Sequence, residues 1–135
     1  MEIEIKRDSI SRADLKDHTL KMEVDSSTTY EEVIKRLGEM NYFPDMPGMH
    51  PVWVLKHPRH APIASYYSQE KVCFPGLVTK QILAYGDFFH FTYYPDPERW
   101  ELAILDMYDG SGYAAWHEGW GKEMEFIGKL KKSAN

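Results

Sequence analysis

The segment DHTLKMEVDSSTTYEEVIKRLGEMNYF (17–43) changes its hydrophobic period halfway along, and few local structures accommodate both halves. Leu20, Met22 and Val24 alternate with Lys21, Glu23 and Asp25, the period-2 pattern of a strand with one buried face. Ser26 and Ser27 break the alternation. Thr28 with Glu31, or Thr29 with Glu32, then fits a capping box, in which the hydroxyl takes an orphan amide and the carboxylate reaches back. Tyr30, Val33, Ile34, Leu37 and Met40 fall on one helical stripe, with Glu31, Glu32, Lys35, Arg36 and Glu39 mostly off it. A helix of about three turns is marginal alone in water, so this one has to dock on the strand before it.

The rest of the chain supplies partners for that unit. Its 135 residues, 43% apolar and 14% aromatic, suit one domain with a real core and exclude a disordered chain. A formal charge of −5 argues against general nucleic-acid binding. The single cysteine, Cys73, excludes an intramolecular disulfide framework, and its Val-Cys-Phe setting reads as a small buried apolar residue. MEIEIKRD lacks the basic and apolar regions of a signal peptide, and no apolar run approaches the ~18 residues of a membrane span. A reducing cytoplasm is the expected compartment, with no membrane partner.

Residues 1–7 alternate Met1, Ile3 and Ile5 against Glu2, Glu4 and Lys6, a first strand. Residues 8–16 are too long for a tight hairpin turn, with Ile10 and Leu15 as anchors. PDMPGMHP (44–51) is a surface crossover. VWVLK (52–56) is apolar on both faces, as an inner strand covered on each side would be. HPRHAP (57–62) reads as a turn, 63–67 as a short strand, Pro75-Gly76 as a turn, and 77–83 as a helical or extended lead-in. FFHFTYY (88–94) is the last strand. Asp96-Pro97-Glu98 opens a helix, with Asp as N-cap and Pro at the first helical position. The rival reading of 98–108 is a strand paired with FFHFTYY. Tyr113, Trp116, Trp120, Met124, Ile127 and Leu130 then form a stripe on a C-terminal helix, whose lysines gather at the end that the dipole favours.

Strand, strand, helix, proline-bearing crossover, inner strand, short strand and final strand together resemble the β-grasp fold of ubiquitin-like domains. The resemblance rests on HTLKMEVDSSTTYEEVIKRL, VWVLKH and LVTKQILAYGDFFHFTYY, and covers about residues 1–95. It implies an α+β fold: a mixed sheet packed on one central helix, with residues 96–135 as a helical extension packed on that core within a single domain. Conjugated modifiers and sulfur carriers of the family end in a free Gly-Gly. Here the chain runs on to Lys-Lys-Ser-Ala-Asn, so what the resemblance implies is a scaffold for protein recognition.

No catalytic or cofactor motif stands out. His57 and His60, with His50 nearby, could offer ligands to zinc, although a solvated turn explains them as well. His90 in the last strand reads as a surface or half-buried residue. The acidic stretch 96–109 lacks the calcium-loop pattern and reads as helix-surface charge. The unusual feature is the aromatic load. Core packing explains many rings, but Trp116, Trp120, Tyr93 and Tyr94 are the candidates for a recognition surface, where such rings supply contact area at low entropy cost. The expected function is a non-enzymatic module that binds a protein partner without a cofactor. The alternatives are a small enzyme or metal-binding protein using His50, His57 and His60, and a toxin-neutralising or regulatory operon protein.

Overall fold

The computed structural model describes residues 1–10, 18–56, 62–75, 88–107 and 120–133. Six strands form one mixed sheet: β1 (Glu2–Arg7), β2 (Leu20–Glu23), β3 (Val52–Lys56), β4 (Pro62–Tyr67), β5 (Val72–Pro75) and β6 (Phe88–Tyr94). Their order across the sheet is β2-β1-β6-β3-β4-β5. Every neighbouring pair is antiparallel except β1 and β6, which run parallel with Ile5 opposite Phe89. Three helices, α1 (Tyr30–Glu39), α2 (Pro97–Met107) and α3 (Trp120–Ser133), complete the described α+β fold.

The change of period at 17–43 becomes β2 followed by α1. Thr29, not Thr28, is the N-cap: its hydroxyl accepts the Glu32 amide at 3.2 Å. Thr28 is buried, with its hydroxyl turned to Asp25 at 3.2 Å. Tyr30, Val33, Ile34 and Leu37 are buried as the stripe requires. Met40 is not; it is 54% exposed, because the helix has already stopped. Asn41 takes the left-handed conformation, φ 56°. The Tyr42 amide then donates to the Leu37 carbonyl at 3.0 Å and the Asn41 amide to the Gly38 carbonyl at 3.2 Å, a Schellman ending.

On the α1 side of the sheet, Ile3, Ile5, Trp53, Leu55, Ala64, Tyr66, Phe89 and Phe91 pack against the α1 stripe and Phe43. On the other side, Val52, Val54 and Tyr67 meet Trp100 and Ile104 of α2 and Ile127 and Leu130 of α3. Trp53 and Leu55 therefore face one layer while Val52 and Val54 face the other, as the two-sided apolarity of β3 demands. α1 covers one face of the sheet, and α2 and α3 cover the other.

The reading of 97–107 as helix holds over the strand alternative: Asp96 Oδ1 accepts the Arg99 amide at 2.8 Å, and Pro97 occupies the first turn. β5 went unanticipated. It follows a turn at 68–71, Ser-Gln-Glu-Lys, that contains neither glycine nor proline nor asparagine, so the usual hairpin signal is missing. Lys71 supplies the positive φ instead, at 59°. Of the turn expected at 57–62, only Pro62 is described, and it opens β4; the lead-in at 77–83 and residues 113–119 lie outside the described residues.

Candidate binding cleft

The Schellman ending leads the chain off α1 toward the sheet, and a stack of aromatic rings fixes its path. Phe43 lies with its ring centroid 5.3 Å from Trp53, 5.2 Å from Tyr66 and 5.1 Å from Phe91. The Arg7 guanidinium sits over the Tyr42 and Trp53 rings, at 5.7 and 5.5 Å, and its Nε donates to the Tyr42 carbonyl at 3.0 Å. The crossover at 44–51 is tied to the β4–β5 turn at two points. The Met46 amide donates to Gln69 Oε1 at 2.7 Å, and His50 Nδ1 lies 2.6 Å from Glu70 Oε2.

Between these held segments lies an open cleft of about 440 Å³. Gly38 and Asn41 at the end of α1 form one wall, Phe43, Pro44 and Asp45 a second, and Ser68, Gln69 and Lys71 of the turn a third, with Tyr66 also lining it. The volume falls within the usual range of ligand sites. Tyr66 is 3% exposed, and among the described residues its hydroxyl makes no hydrogen bond. Burial raises its phenol pKa, and the Cys73 sulfur and Glu39 carboxylate push in the same direction. Ser68 Oγ is buried and unpartnered among the described residues. Buried polar groups are ordinarily satisfied, so Ser68 is an exception beside the cleft, and the unpartnered Tyr66 hydroxyl is available to an occupant.

The approach of Tyr66 to α1 needs a residue without a side chain at position 38. A Cβ on Gly38 would overlap the Tyr66 hydroxyl oxygen and stand 3.2 Å from its Cζ.

The structure distributes the sequence candidates differently. Tyr93 and Tyr94 alternate across β6, so they belong to opposite faces of the sheet. The Tyr93 ring packs 5.0 Å from Trp53 and the Tyr94 ring 5.0 Å from Trp100, both half-buried. A single flat contact would not use both. Trp120 opens α3; Trp116, His57 and His60 lie outside the described residues. His90 Nε2 lies 2.8 Å from Asp8 Oδ1, while Asp8 Oδ2 accepts the Tyr93 amide at 3.0 Å. Among the described residues no group of three or more His, Cys, Asp or Glu converges to hold a metal. Nor is any described helix long and apolar enough to cross a membrane.

The residue that sequence reasoning missed is Glu123, fully buried between α3 and the sheet. Its Oε2 accepts from Ser65 Oγ at 2.6 Å, Tyr67 Oη at 2.6 Å and Trp100 Nε1 at 3.1 Å. A signal was present. Glu123 stands three residues after Trp120 and four before Ile127, on the apolar stripe itself.

Cys73 is held in the layer under α1, where burial first, then the Glu31 and Glu123 carboxylates, push its thiol from 9.0 up to about 12. At pH 8 an aromatic disulfide reagent should therefore leave Cys73 unmodified in the folded protein and label it fully in urea. Labelling at equal rates in both states would refute the inert reading. The raised folded-state value also sets a sign. Its contribution to stability is complete below pH 9 and is lost as the pH climbs toward about 12, so Cys73→Ala should flatten the alkaline loss.

No family model, curated protein or solved structure matches this chain.

Proposed function

We propose that this chain is a non-enzymatic protein-interaction module on a β-grasp-like scaffold, with its contact at the cleft beside the end of α1. The scaffold reading draws support from the mixed sheet. The first and last of its described strands lie side by side and parallel, and α1 packs across one face of it. The observation that carries the binding reading is the Tyr66 hydroxyl: the residue is only 3% exposed, yet it lines an open cleft and its hydroxyl has no partner among the described residues. A hydroxyl on a cleft lining with no partner in its own fold is available to an occupant. The walls around it are braced by aromatic packing and by side-chain bonds across the crossover. That arrangement keeps a cleft formed before its occupant arrives, which lowers the cost of binding.

The test is affinity capture from source lysate with three baits: the native chain, Asp45→Lys and Trp120→Ala. Asp45 is exposed on the cleft wall, so the charge reversal leaves the core alone. A stoichiometric partner should be retained by the native chain and by Trp120→Ala, and reduced at least about tenfold by Asp45→Lys. The converse result would move the contact to the C-terminal tryptophans, Trp116 and Trp120. No partner with any bait would overturn the interaction reading.

A further inference from the structure

We infer that the cleft receives a basic side chain, lysine or arginine, from the partner's polypeptide. This rests on the binding reading above and deepens it. The Tyr66 hydroxyl oxygen can accept a hydrogen bond and has no partner among the described residues. An ammonium or guanidinium carries donors only, so it suits such an acceptor; a hydroxyl can donate as well, so the sign of the occupant is set by the field.

The field in the cleft has the matching sign. The wall at Gly38 and Asn41 is the C-terminal end of α1, the negative end of a helix dipole. Asp45 adds a carboxylate on the facing wall. Burial, chiefly, disfavours ionisation of the Tyr66 phenol, and the Cys73 sulfur and the Glu39 carboxylate add to it. Lys71 opposes this from the rim, where its exposed side chain is free to turn into solvent. The Phe43 ring and Pro44 offer an apolar wall for the aliphatic stem of either basic residue. An acidic occupant would meet the dipole end and Asp45 with the wrong charge, and the chain's net charge of −5 would slow its approach.

The experiment is an amide chemical-shift titration of the full chain with N-acetyl-arginine amide, N-acetyl-lysine amide and, as the opposite charge, N-acetyl-glutamate amide. The basic fragments should shift the amides of Gly38, Asn41, Gln69 and Lys71, saturating in the millimolar range expected for small fragments, and the acidic one should not. Asp45→Asn, on an exposed position, and Tyr66→Phe should each weaken the basic fragments roughly fivefold, and added salt should weaken them further. An acidic preference, shifts that avoid the cleft, or unchanged affinity in both variants would overturn the inference. A partner captured through the cleft together with an acidic preference would overturn it while leaving the interaction reading intact. Failure of both capture and titration would remove the two together.

Discussion

Replacing Glu123 with alanine should lower the unfolding free energy by roughly 3 to 5 kcal/mol, read as a shift in the urea midpoint with an unchanged slope. The carboxyl oxygen lost is the shared acceptor for Ser65 on β4, Tyr67 on β4 and Trp100 on α2. Each donor left buried and unsatisfied costs about 1 to 3 kcal/mol, and all three would be orphaned by one change. The helix itself gains a little from alanine, so the loss is tertiary in origin. Glu123→Gln keeps an acceptor oxygen but brings an amide N–H₂ into a nest of donors, and should fall between the two. A loss below about 1 kcal/mol for alanine would mean that water enters and takes over the three bonds.

Gly38→Ala should also destabilise, by roughly 1 to 3 kcal/mol, against the usual direction for a helix interior. In an ordinary helix the same change gains up to about 1 kcal/mol. Here the new methyl would overlap the Tyr66 hydroxyl, and the ring has little freedom to retreat because Phe43 packs 5.2 Å away. Tyr66→Phe removes the overlapping oxygen and leaves Cζ at the tight but tolerable 3.2 Å. In that background Gly38→Ala should cost much less, giving a coupling energy of at least about 1 kcal/mol in a double-mutant cycle. Additive effects would show that the ring moves aside freely and that the cleft is softer than described.

The elements whose period and neighbours agree were legible from the residues. β1, β2, α1, β3 and β6 each carry an apolar pattern that their burial follows, and the Asp96-Pro97 start of α2 works through the N-cap hydrogen bond that the sequence implied, from the Arg99 N–H to the Asp96 carboxylate. Met40 misled because the stripe continues one residue past the stop, and only the left-handed Asn41 ends the helix. β5 was hidden because a turn of Ser, Gln, Glu and Lys forms at the expense of a positive φ at Lys71 rather than through glycine. The cleft was illegible for a different reason. Gly38 reads as an ordinary weak helical residue until Tyr66, far along the chain, is placed over it. Long-range pairings such as Ser65 with Glu123 likewise have no local period to announce them. Adjacent tyrosines look like a patch in the sequence, but strand alternation sends Tyr93 and Tyr94 to opposite layers.

The parallel β1–β6 pair bears on how the chain is made. Residues 2–7 leave the ribosome well before residues 88–94, and at about 5 to 20 residues per second the interval is roughly 4 to 16 s. During that time β1 can pair with β2 and dock α1, but its other edge, which ends at the centre of the sheet, has no neighbour yet. The nascent intermediate thus exposes an open strand edge beside Ile3 and Ile5, the kind of surface to which chaperones and other nascent copies adhere. The risk to this protein in a crowded cell lies in the seconds before its last strand arrives.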